Sequence, residues 1–169
     1  MKGKKDYFEE KLGGAEGIAG IFEVVKEVVL ETLGKERGGL MLGLADLGIT
    51  NEGYIGAYYP VDSNVIVMNK APLRRVERYR PEMLKPYVFH ILLHEYIHAL
   101  GMLDERHTRQ LAYAISAEIF GEEHMVTRLA RNITAVLPEI MYPGSDFSMP
   151  DMGIELVEGF DYSSWGYIG

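Results

Sequence analysis

The sequence predicts an α+β fold: a small mixed β-sheet packed on one buried helix, with further helices toward the C-terminus. Three observations carry this. Short apolar runs punctuated by Gly, Pro and Asn fall at Leu40–Leu47, Ile55–Tyr59 and Val65–Met68, which is the length and punctuation of strands. A nearly unbroken apolar run from Tyr87 to Leu103 is too long for a strand and reads as a core helix. Helix-period stretches then fill the chain up to Pro138. Strands first and helices after point to α+β layers.

Taken in order, Ala15–Leu33 carries Ile18, Ile21, Phe22, Val25, Val28 and Val29 at helical spacing, and Gly34 follows as a natural C-terminal cap. The strands at 40–47, 55–59 and 65–68 come next, the last two joined as a hairpin through Pro60-Val61-Asp62-Ser63-Asn64. Pro72–Arg80 reads as a short helix stopped by Pro81. The long apolar helix runs from about Pro86 to Leu100 and ends at Gly101. Asp104 is placed to N-cap a helix reaching Phe120. Gly121 separates it from another, Glu122–Leu137, closed by Pro138. From Glu139 onward the chain is rich in Gly, Asp and aromatics and is expected to be loop, with a tail from about residue 144. The whole, 1–169, reads as a single domain.

With no Cys, disulfides, thiolate zinc sites and a cysteine nucleophile are all excluded. Any metal must be held by His and carboxylates. The net charge of −8 argues against nucleic-acid binding. Met1-Lys2-Gly3-Lys4-Lys5-Asp6 is not followed by an apolar segment, and no stretch is apolar enough to span a membrane, so a cytoplasmic protein is expected. Charge is uneven: Lys70, Arg74, Arg75, Arg78 and Arg80 cluster before the long helix, whereas no Lys or Arg follows Arg131. The cluster is either a solvated helix face or a dock for the acidic C-terminal segment or an acidic substrate end.

The chemistry lies inside the long helix, in His94-Glu95-Tyr96-Ile97-His98. Residues four apart share a helix face, so both imidazoles can reach one metal ion. Glu95 sits about 100° further round, near the metal without being on it. Two His ligands plus a carboxylate base for a zinc-activated water is the layout of a zinc hydrolase.

Extended, the motif reads His94-Glu95-x-x-His98-x-x-Gly101-x-x-Asp104 and resembles the zinc signature of the metzincin metallopeptidases, within the broader zincins. The resemblance implies that Gly101 turns the chain sharply and that Asp104 stands where the third ligand is usually His, as in snapalysin-like members. Pro138-Glu139-Ile140-Met141-Tyr142-Pro143 looks like the methionine turn of that family, and Ile55–Tyr59 like its edge strand for extended peptide substrate. One feature departs from the pattern: two predicted helices separate Asp104 from Met141. Thermolysin-like gluzincins offer a different third ligand, a Glu about twenty residues past the second His, where Glu118 stands. His107 is a further candidate, on the helical line of Leu111, Ala114 and Glu118. His90, one turn before His94, reads as core or as support for a ligand, and His124 as surface. Tyr54, Tyr58, Tyr59 and Tyr142 read as packing residues.

These observations predict a zinc metallopeptidase holding one Zn²⁺ ion through His94, His98 and Asp104, with Glu95 as general base and a peptide or protein as substrate. The spacing of positions 94, 98 and 104 also resembles the three-His site of the YbeY family of rRNA-processing enzymes, although the third His is missing here. A third reading is a non-catalytic zinc-fold protein that binds a partner. The tail bearing Tyr162, Trp165 and Tyr167 is expected either to lie across the cleft or to dock on another subunit; if it blocks the cleft, truncation after about Ser148 should raise activity.

Overall fold

The computed structural model describes residues 3–50, 53–140 and 151–162. Among them run, in order, α1 (Lys4–Gly14), α2 (Gly17–Leu33), β1 (Met41–Asp46), β2 (Ile49–Thr50), β3 (Gly53–Tyr54), β4 (Ala57–Tyr58), β5 (Val65–Asn69) and α3 (Lys70–Tyr79). There follow α4 (Leu84–Ala99), α5 (Glu105–Phe120), α6 (Met125–Arg131), α7 (Ile133–Val136) and β6 (Asp151–Leu156). The fold is α+β with a mixed sheet, as expected. No helix among the described residues is long and apolar enough to cross a membrane.

The sheet has the order β4-β5-β1-β6. β1 and β5 pair in parallel from Met41↔Val65 to Ala45↔Asn69. β4 pairs antiparallel with β5 as the predicted hairpin, Ala57↔Met68 and Tyr58↔Val67, and forms one edge. The other edge is a correction. The composition after Glu139 predicts loop, yet β6 pairs antiparallel with β1, Gly43↔Leu156 and Leu44↔Glu155. Gly43 permits this contact: a Cβ there would meet Ile154 Cγ2 at 2.5 Å. The chain beyond β6 is also anchored. Phe160 stacks on Phe22 at 4.2 Å. Buried Asp161 accepts from the Leu40 N–H at 2.9 Å and pairs with Lys26. Residues 151–162 therefore belong to the sheet and to the face of α2, where Tyr162 lines a cleft with Gly20 and Glu23; Trp165 and Tyr167 fall outside the described residues.

The core is centred on α4, whose Tyr87, Phe89, Leu92, Leu93, Tyr96 and Ile97 are all essentially solvent-free. A helix apolar nearly all round must be enclosed on nearly all sides. α2 covers it through Phe22, edge-on to Tyr96 at 5.4 Å. Phe120 at the end of α5 meets Phe89 edge-on at 5.3 Å. Asn69 ties the sheet to the helices. Fully buried, its Oδ1 accepts from the N–H groups of Leu47 (2.9 Å) and Ala71 (3.1 Å), capping α3. Its Nδ2 donates to the carbonyls of Gly48 (3.0 Å) and Ile55 (2.8 Å).

Two helical regions differ from expectation. The single helix 122–137 is two, α6 and α7, because Asn132 adopts an extended conformation (φ −162°) and caps α7 through Ala135 N–H. α1 is an additional helix, packed through Phe8 and Leu12. The basic cluster is partly a dock for acidic residues from later in the chain. Lys70 pairs with Glu155 at 3.2 Å and Arg80 with Glu139 at 3.3 Å, while Arg74 pairs with Asp46 at 3.0 Å.

Candidate metal centre

His94 and His98 project from adjacent turns of α4, their rings 4.8 Å apart between centroids and 81° to one another. The core packing of Tyr96 and Ile97 holds this stretch of helix in place. Gly101 then reverses the chain at φ +111°, a conformation that L side chains rarely adopt. Its N–H bonds the His98 carbonyl at 2.9 Å, and the Met102 N–H bonds that of Ile97 at 3.3 Å. The reversal delivers the Met102 carbonyl to His98 Nδ1 at 2.6 Å. A ring whose Nδ1–H donates to a carbonyl presents Nε2 on its other side, the orientation a metal-ligating His takes.

The carboxylate that reaches these imidazoles is Glu105. Its Oε1 lies 2.6 Å from His98 Nε2 and its Oε2 3.1 Å from His94 Nε2. Asp104 is placed elsewhere. It is the N-cap of α5, its side chain accepting from the His107 N–H at 2.8 Å, and it is 63 % exposed. An N-cap carboxylate is aimed along its own helix, so the first residue of that helix, Glu105, is free to turn back over the histidines. Glu118 and His107 are not gathered at the cluster either. Glu118 is exposed and lies 4.0 Å from Lys4. His107 is 70 % exposed, 3.9 Å from Asp104.

Glu95 completes the cluster. One donor atom each from His94, Glu95 and His98 lies within 4.8 Å of the others. The Glu95 carboxylate is buried, and its Oε2 is enclosed with no hydrogen-bond partner among the described residues. Burial pushes its carboxyl up to about 7, with His98 opposing the rise and Glu105 adding to it. Burial also lowers His94, against the pull of Glu105. Burial works the other way on Glu105, yet the two imidazoles hold its carboxyl below the ordinary range.

Two features of these residues suit a metal ion. Donor atoms of His94, Glu95 and His98 lie within 4.8 Å of one another, and Glu105 approaches both rings at 2.6–3.4 Å, the range of hydrogen bonds. The accounting of hydrogens points the same way. With Nδ1 donating to Met102, His98 Nε2 can face a carboxylate oxygen only across a shared cation, a proton or a metal. An enclosed, unpartnered carboxylate such as Glu95 is costly unless a cation or a water joins it.

His90 lies below the cluster with its Nδ1 enclosed and unpartnered among the described residues. Burial, and secondarily His94, lowers it to about 4. His124 is not a free surface residue: it N-caps α6 by accepting from the Val126 N–H at 3.1 Å and stacks on Phe120 at 4.6 Å. Of the expected methionine turn, Pro138–Ile140 forms a 3-10 turn, while Met141, Tyr142 and Pro143 lie outside the described residues. A cleft of about 310 Å³ opens beside His98, between the β4–β5 hairpin and the end of α4, lined among others by Arg37, Tyr59, Val61, Gly101 and Leu103.

No protein-family model, no curated protein and no solved structure matches this chain.

Proposed function

We propose that the chain is a zinc-dependent metallopeptidase of the zincin type, with His94, His98 and Glu105 as its zinc ligands. The observation that carries the reading is the convergence of two helix-borne Nε2 atoms on one carboxylate, with the enclosed Glu95 carboxylate beside them. Two imidazoles and a carboxylate are an ordinary catalytic zinc set and leave a position open. When bound, the ion supplies a Lewis acid that polarises a carbonyl and acidifies a coordinated water.

The chain's own groups do the rest. Met102 and Thr108 hold the His98 ring in place, through the 2.6 Å bond to the Met102 carbonyl and a 3.5 Å approach of Thr108 Oγ1 to Nδ1. Glu95 takes a proton from the water that attacks the scissile carbonyl carbon. It returns that proton to the nitrogen as the C–N bond breaks, leaving a carboxylate and an amine. β4, at the edge of the sheet and antiparallel to β5, is placed to take an extended peptide as a further strand.

The test is cleavage of a peptide mixture by zinc-loaded protein, read by mass spectrometry as new termini. Glu95→Ala should keep its zinc and lose about 10²- to 10⁴-fold in turnover. Cleavage by that variant at the wild-type rate overturns the reading.

A further inference from the structure

The peptidase reading leaves the charge of Arg37, which lines the cleft beside His98, without a role. Arg37 sits in the linker between α2 and β1, and its backbone is pinned to the motif helix. The Arg37 N–H donates to the buried Tyr96 hydroxyl at 2.9 Å, which donates back to the Arg37 carbonyl at 3.4 Å. Its guanidinium reaches over the end of α4. Nη1 donates to the Ala99 carbonyl (2.8 Å) and to the Tyr59 hydroxyl (2.7 Å), and Nη2 to the Ser63 carbonyl (2.7 Å). Tyr59 is fixed in turn by donating to the same Ser63 carbonyl at 2.6 Å.

Three bonds to neutral acceptors hold this guanidinium still, and they leave two of its five N–H donors open among the described residues. No carboxylate pairs with it there. By contrast, Arg74, Arg80, Arg128 and Arg131 each pair with an acid. The carbonyl end of α4 accounts for part of the attraction. Even so, a half-buried guanidinium with open donors in a cleft is a ready partner for an anion, and its fork matches a carboxylate. The cleft is the one that His98 also lines, and its rim carries the exposed apolar side chains of Val61 and Leu103. Asp62 lines it too, exposed and without an ion pair to Arg37, and its like charge repels a carboxylate bound on that side of the cleft.

We propose that this cleft is a substrate subsite for a carboxylate, with Arg37 as the counter-charge and Val61 and Leu103 as apolar walls for the carbon chain that bears it. The proposal rests on the peptidase reading. It names the substrate class: peptides that place an acidic group next to the scissile bond, either a Glu or Asp side chain or the C-terminal carboxylate.

The experiment uses zinc-loaded protein and matched peptides differing only as Glu against Gln, or as C-terminal acid against C-terminal amide. kcat/KM is measured for each. Binding of the same peptides to zinc-loaded Glu95→Gln protein is measured calorimetrically. The carboxylate member of one pair should be favoured about ten- to hundredfold, the usual worth of a charge-assisted bidentate contact. Which pair responds identifies the source of the carboxylate. Arg37→Gln should bring the ratio close to one, and Arg37→Lys should retain part of it. Arg37 also ties the hairpin to α4, so Val61→Glu provides a variant that leaves those bonds intact. Placed on the exposed rim, it should cut the preference by repulsion. Hydrolysis with no discrimination in the wild type, or a preference unmoved by both Arg37→Gln and Val61→Glu, overturns the subsite and leaves the peptidase reading standing. Absence of hydrolysis of every peptide overturns the peptidase reading instead. In that case, carboxylate-dependent binding that Arg37→Gln abolishes still upholds the subsite, and carboxylate-independent binding overturns it.

Discussion

Glu105→Gln and Asp104→Asn separate the proposed ligand from the helix cap, because the two neighbouring acids are placed differently. Glu105 is the carboxylate at 2.6 Å and 3.1 Å from the two Nε2 atoms, whereas Asp104 caps α5 through the His107 N–H. Zinc held by four protein ligands is bound by about 10–16 kcal/mol, or roughly 3 kcal/mol per ligand. Gln keeps a carbonyl oxygen but loses the charge. Its substitution for Glu105 should therefore weaken zinc by about 2–3 kcal/mol, on the order of 30- to 150-fold. Asn caps helices as well as Asp does, so Asp104→Asn should change zinc affinity by no more than a few-fold. Neither change should disturb the apo fold, since both side chains are more than half exposed. The assay is competition against a chromophoric chelator at fixed pH, because ligand deprotonation is coupled to binding. Zinc affinity that collapses in Asp104→Asn and survives in Glu105→Gln would refute the assignment and restore Asp104 as the ligand.

Asn69→Ala should destabilise the fold by about 3 kcal/mol in a denaturant titration, because four main-chain groups lose their partner and buried polar groups left unpaired cost about 1–3 kcal/mol each before relaxation; a loss under 1 kcal/mol would contradict the role given to it. His124→Asn should flatten part of the acid limb of stability. Burial lowers the His124 pKa below its unfolded value near 6.5, Lys5 lowers it further and Glu9 opposes. Below about pH 6.5 the unfolded chain then takes up the proton first, so this contribution is complete above that pH and fades as pH falls toward the folded pKa. Asn keeps the cap without titrating, so the gap between the two stability curves should change between pH 7 and 5; parallel curves would show that His124 takes up its proton equally in the folded and unfolded states.

Much of the fold is legible in the sequence because local chemistry and tertiary environment agree. α2 ends where Gly34 can adopt φ +66°, α4 where Gly101 reverses the chain, and α5 begins at the Asp104 cap. The β4–β5 hairpin follows from its Pro-to-Asn loop. β6 is hidden because an edge strand depends on a distant partner, here β1, and its Ile154 and Leu156 remain exposed, so no buried face marks the segment. α1 is hidden because only Phe8 and Leu12 of its eleven residues are buried, too few for a visible period. At the site, the His94-Glu95-x-x-His98 spacing locates three groups that do converge. Asp104 stands at the spacing that the metzincin resemblance implies for a third ligand; in the structure its side chain caps α5, and Glu105, the next residue, is the acid that reaches the two rings. Arg37 carries no signal in sequence at all, since its meaning lies in Tyr59, Ser63 and Ala99, which only the fold brings to it.

The proposed metal centre joins His94, His98 and Glu105. The most direct test is elemental analysis of protein purified without chelators and then reconstituted with zinc, alongside His98→Ala. The account predicts one zinc per chain in the wild type and a loss of stoichiometric zinc in the variant. No zinc in the reconstituted wild type, or equal zinc in both proteins, would contradict it.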